Sequence, residues 1–99
     1  MKYGLTDSEF NFLTEQLIGP LKNYGAKVFI FGSRATGRYK KFSDIDLLYT
    51  SSPNLSNDKI YVLLAKMEES SFPYKIDLVC DDNLAQSYRE SVNADKIEL

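Results

Sequence analysis

Apolar residues recur along this chain with two different periods, and the alternation between those periods outlines a fold. Thr6-Asp7-Ser8-Glu9 has the form of a capping box, and Phe10, Leu13, Leu17 and Leu21 follow at helical spacing, which predicts a first helix. Pro20 has no N–H to offer the carbonyl of Gln16, so with Gly19 it should kink or split that helix before Gly25 closes it. Lys27 to Phe31 is β-rich, bounded by Gly25 and Gly32 and too short for a helix; it predicts a buried strand. Arg34 to Gly37 has room for one helical turn, and a second strand is expected over 45–50, ended by Ser51-Ser52-Pro53-Asn54. Ser56 caps a second helix in which Ile60, Leu63, Leu64 and Met67 make one apolar stripe, and Phe72-Pro73 stops it.

A third strand over 75–80 repeats the wording of the second: Ile76-Asp77-Leu78-Val79 against Ile45-Asp46-Leu47-Leu48. Asp81-Asp82-Asn83 supplies caps for a last helix carrying Leu84, Tyr88 and Val92 four apart, and residues 97–99 add an edge segment. The order αβ(α)βαβα predicts the α/β (α+β) class, with a small mixed sheet and helices packed mainly on one face. Such packing leaves the strand aspartates on the open face.

Length and composition narrow the reading. Ninety-nine residues make one domain, 1–99, with no room for a separate substrate-binding domain. A hydrophobic content of 43% with 26% charged residues is that of a globular chain and excludes disorder. The net charge of −2 and pI near 5.0 argue against nucleic acid as a direct substrate. The charge is uneven, however: Arg34, Arg38, Lys40 and Lys41 cluster with no acid among them, a field a polyphosphate would feel. The lone Cys80 excludes an intramolecular disulfide, and with no signal-peptide core and no run near the ~20 residues of a membrane span, a cytoplasmic protein is expected. Cys80 reads as a small buried hydrophobe, and Tyr24, Tyr61 and Tyr88 as half-buried packing. The absence of histidine removes Ser-His and Cys-His catalysis and imidazole metal sites. Carboxylates must do the chemistry.

The chemistry has an obvious place. The first strand ends abruptly at Gly32-Ser33, where a glycine without Cβ lets a phosphate approach the backbone and a hydroxyl stands at a strand-to-helix turn. Ten residues on, Asp44 and Asp46 flank Ile45 and project to one side of a strand. Magnesium favours one or two carboxylates completed by substrate phosphates. Asp46 and Asp77 both lie inside strand patterns where aspartate is depleted, so if the strands are neighbours three carboxylates converge, and a divalent cation relieves their repulsion. Because the loop contacts phosphate and not metal, changes at Gly32 and Ser33 should leave metal binding by Asp44 and Asp46 nearly intact. A P-loop is excluded: Gly32 and Gly37 have its spacing, but Arg38 and Tyr39 stand where Lys and Ser or Thr are required.

Phe31-Gly32-Ser33, then Asp44-Ile45-Asp46, then Asp77 on a later strand, together with Arg34, Ala35 and Gly37, resemble the minimal nucleotidyltransferases (MNT domains) of the DNA polymerase β-like superfamily. The resemblance covers the chain from helix one to about Val92; Thr36 replaces a frequently basic residue, and the tail Asn93-Ala94-Asp95 lacks a common glycine. It implies a palm-like mixed sheet, two Mg²⁺ ions (with Mn²⁺ as substitute), and ATP or another nucleoside triphosphate as donor of a nucleoside monophosphate. On that pattern Asp44 and Asp46 bind metal, and Gly32 and Ser33, joined by Arg34, bind phosphate. Asp77 binds the first metal and activates the acceptor hydroxyl. It also implies a HEPN-domain protein as partner, with the MNT chain as antitoxin able to adenylylate it; homo-oligomers are left open. Two alternatives stand beside this enzyme: an antitoxin acting by occlusion without turnover, and a small-molecule nucleotidyltransferase.

Overall fold

The computed structural model describes residues 1–99. Helix formation begins where the capping box places it. Thr6 Oγ1 accepts from the Glu9 amide at 3.1 Å and the Glu9 carboxylate accepts from the Thr6 amide at 2.8 Å, opening α1 (Asp7–Leu13). Pro20 splits the helix in a particular way. The chain passes through a π turn, Thr14–Ile18, before resuming as α2 (Gly19–Asn23); the Gly19 amide reaches back to the Thr14 carbonyl, so the proline is absorbed by widening rather than by a break. Leu13, Leu17 and Leu21 are fully buried along this composite helix.

The other elements follow in the predicted order: β1 (Val28–Phe31), α3 (Ser33–Thr36), β2 (Ile45–Tyr49), α4 (Asn57–Glu69), β3 (Ile76–Cys80), α5 (Gln86–Asp95) and a two-residue β4 (Ile97–Glu98). The four strands form one mixed sheet in the order β3-β2-β1-β4. β1 runs antiparallel to β2 and β4, whereas β2 and β3 are parallel, joined by the α4 crossover. The register pairs Asp46 with Asp77 across the parallel strands and with Phe31 across the antiparallel pair.

Alternation along the strands sorts the sheet into two faces. Val28, Ile30, Ile45 and Leu47 pack with Leu13, Leu17, Leu21, Leu63 and Met67 into the main core. The opposite face carries Phe29, Asp46, Leu48 and Asp77. That face is not wholly open, as the simplest one-sided packing would have it: Leu48 is fully buried on it, Val92 of α5 is buried, and the Lys96 ammonium lies 4.6 Å from the Phe29 ring centroid. Asp81-Asp82-Asn83 does not cap α5. These residues form a 3-10 turn, and α5 starts at Gln86 behind Ala85 with no side-chain cap, because Asp81 is engaged by Arg89 instead (3.2 Å to its carbonyl, 3.9 Å to its carboxylate). Tyr24 is half-buried as expected, but Tyr61 and Tyr88 are 77% and 63% exposed, since they stand on the outer faces of α4 and α5. Cys80 is half-buried beside Tyr49, its register partner. No helix is long and apolar enough to cross a membrane.

Candidate active site

β1 delivers the chain to Gly32, which turns into α3 with φ +73° and ψ −156°, a region essentially reserved for glycine. α3 is a single turn, so its leading amides have no carbonyl within the turn to bond. Gly32 lies directly against Asp46: a Cβ added there would collide with the Asp46 carboxylate and stand 3.1 Å from its Cγ and 3.3 Å from its Cβ. The turn that could cradle phosphate and the carboxylate that could hold metal are thus in contact. This corrects the expectation that the two halves are independent, because a side chain at position 32 must displace Asp46.

Asp46 is half-buried, with Asp77 exposed at its side on β3 and Asp44 exposed just ahead of β2. Burial pushes the Asp46 carboxyl above its ordinary 3.8, the charges of Asp77 and Asp44 push it further, and the Arg34 guanidinium pulls it back. The three carboxylates therefore share one electrostatic field. None takes part in an ion pair, and none accepts a hydrogen bond from within the chain. No three acidic or thiol side chains by themselves form a metal cage. Magnesium asks for less, and oxygen donors without histidine or cysteine suit a hard cation completed by phosphate oxygens.

The raised Asp46 carboxyl has a direct consequence. Between 3.8 and its higher folded value the folded chain holds more proton than the unfolded one, so its contribution to stability falls as pH rises through that window. Asp46→Asn is expected to melt higher than the parent at neutral pH without metal. The gain should vanish in acid below about pH 3.8, and melting curves across pH measure it. A variant less stable than the parent at neutral pH would contradict the electrostatic account.

Arg34 departs from its expected place. Its side chain is only 2% exposed and points inward, donating from Nε (3.1 Å) and Nη2 (2.8 Å) to the Ser43 carbonyl and from Nη1 (2.8 Å) to the Tyr3 carbonyl. Three of its five N–H donors are held by these carbonyls and the side chain is buried, so the guanidinium is turned away from the surface a phosphate would approach. Of the basic cluster, Arg38, Lys40 and Lys41 are exposed on the loop between α3 and β2. The inward Tyr3-Gly4 turn that meets Arg34 went unread in the sequence; the only signal for it was the glycine after Tyr3. None of the surface cavities is lined by Gly32, Asp44, Asp46 or Asp77; Asp44 and Asp77 are exposed at the surface and Asp46 lies half-buried between them.

The family described as "Polymerase beta, Nucleotidyltransferase" matches residues 15–98. The chain belongs to that nucleotidyltransferase family. The probable protein adenylyltransferase MntA of Haemophilus influenzae is 34% identical over 65 residues, 66% of this chain and 57% of that protein. The chain thus spans little more than half the length of that curated relative. A solved structure named for a minimal nucleotidyltransferase superposes with a TM-score of 0.73 at 26% identity, covering 100% of this chain and 97% of that one. The tri-AMPylated Shewanella oneidensis HEPN toxin in complex with its MNT antitoxin gives 0.58 at 19% identity, covering 89% and 69%, a likeness of fold alone. The fold class read from the sequence is that of a minimal nucleotidyltransferase.

Proposed function

We propose that this nucleotidyltransferase moves a nucleoside monophosphate, AMP from ATP, onto a hydroxyl of a partner protein of HEPN type, acting as its antitoxin. The contact between Gly32 and Asp46 carries the reading, because it sets a phosphate cradle against three unpaired carboxylates on one face. Gly32 and Ser33 seat the β- and γ-phosphates, and Asp44, Asp46 and Asp77 hold Mg²⁺, with Mn²⁺ as a substitute. When bound, two such ions would neutralise phosphate charge and stabilise the attacking and leaving oxygens. Asp77, exposed on the edge strand β3, accepts the proton of the acceptor hydroxyl. The acceptor oxygen bonds to the α-phosphorus, the bond to the β-phosphate oxygen breaks, and pyrophosphate leaves.

The open face supports presentation of the acceptor by another chain, since no cavity adjoins the carboxylates to hold a small acceptor. The named properties of the MntA relative and of the AMPylated toxin complex point the same way. The pairing of metal with nucleotide is tested by heat. ATP at 100 times its Kd with Mg²⁺ should stabilise the chain by about 2.7 kcal/mol. At about 4–8 °C per kcal/mol for a domain of this size the shift is plain, and in EDTA, where ATP binds more weakly, most of it should be lost. Equal stabilisation in EDTA would remove the metal from the nucleotide site.

A further inference from the structure

We infer that Arg34, braced by the N-terminal turn Lys2–Leu5, is a positioning residue that locks the phosphate cradle and the carboxylate strands into one register. The inference rests on the nucleotide-site reading above. Arg34 belongs to the cradle itself, one residue past Ser33. Two of its nitrogens converge on the Ser43 carbonyl, the peptide unit joined directly to Asp44. One face of its guanidinium plane lies 4.5 Å from the Tyr74 ring centroid, three residues before Asp77, and the Tyr39 ring lies 5.4 Å away. A single rigid fork therefore touches the cradle, the entry to Asp44 and the approach to Asp77.

The other end of the fork is held by a turn shaped to receive it. Lys2 and Leu5 close that turn with two backbone hydrogen bonds of 3.1 and 2.8 Å, and Tyr3, whose carbonyl accepts from Nη1, adopts φ +56°, uncommon for a residue with a Cβ. Gly4 follows at φ +75°, where a Cβ would stand 2.7 Å from Tyr39 Cζ and 2.8 Å from Arg34 Nη1. Burying a guanidinium on carbonyls alone, with no carboxylate partner, costs stability that an apolar side chain of similar size would not. What it returns is direction, since the planar fork fixes its partners where a flexible ammonium does not.

The test is the coupling between metal and nucleotide, obtained as the ratio of ATP Kd in EDTA to ATP Kd in Mg²⁺ and measured by calorimetry. Arg34→Met should cut that ratio by about 5-fold or more, within the ~5–150-fold range usual for coupled sites. Arg34→Lys keeps the charge without the fork and should show the same loss. Gly4→Ala changes no residue of the cradle or of the carboxylate strands, yet presses on the guanidinium and should lower the ratio too; it carries the test if Arg34→Met fails to fold. A wild-type ratio in folded Arg34→Met, or full rescue by Arg34→Lys, overturns the inference. If the parent shows coupling but labels no partner, the transfer reading falls while the brace is still decided by the ratio. A parent with no coupling at all sinks both.

Discussion

Asp77→Asn is expected to retain Mg-ATP and lose transfer by about 10²–10⁴-fold, the usual contribution of a positioned general base. Asp77 is exposed on the outermost strand and aligned with Asp46, so a hydroxyl brought from outside reaches it first. Asp44 and Asp46 remain to hold the metal at the phosphates, which makes the loss specific to the transition state rather than to binding. Single-turnover assays beside binding measurements separate the two. If transfer persists at the parental rate, Asp77 is not the base. If transfer is lost but the partner is still neutralised, the protein acts by occlusion.

Gly32→Ala should be the most damaging single methyl in the chain. The backbone strain alone costs about 1–3 kcal/mol, or a drop of several degrees at about 4–8 °C per kcal/mol. The new Cβ also displaces the Asp46 carboxylate, so metal-dependent ATP stabilisation should disappear with it. Ser33→Ala adds no volume and should weaken only ATP. The pair, compared in one set of thermal scans with and without Mg²⁺, distinguishes a shared site from two adjacent ones: a Gly32→Ala variant with full metal-dependent stabilisation would mean that the cradle and Asp46 work apart.

What the sequence revealed depended on whether local pattern or distant contact decided the outcome. The capping box at Thr6, the apolar stripe of α4 and the twin Ile-Asp-Leu strands are local signals, and each element formed where its pattern ends. The parallel pairing that aligns Asp46 with Asp77 is tertiary: the repeated wording said only that the carboxylates converge if the two strands are neighbours, and the α4 crossover is what makes them so. Arg34 was misread for the opposite reason. Placed in sequence among Arg38, Lys40 and Lys41 it reads as surface charge, while carbonyls of Tyr3 and Ser43 and two tyrosine rings draw it inside. The false cap at Asp81 has the same origin, since Arg89 claims it from within the helix it was to start. That the loop faces the carboxylates was legible in the spacing of Gly32-Ser33 and Asp44-Asp46, but the direct contact of Gly32 with Asp46 was not, because it is set by the antiparallel register of β1 on β2.

The central claim is the proposed transfer of a nucleotide to a partner, and it is tested most directly by incubating the chain with α-labelled ATP, Mg²⁺ and a HEPN-type protein as the proposed partner. Label is expected on the partner, on a hydroxyl side chain, with pyrophosphate released in equal amount and none of it in EDTA. An unlabelled partner, under conditions where Mg-ATP demonstrably stabilises this chain, would contradict the account.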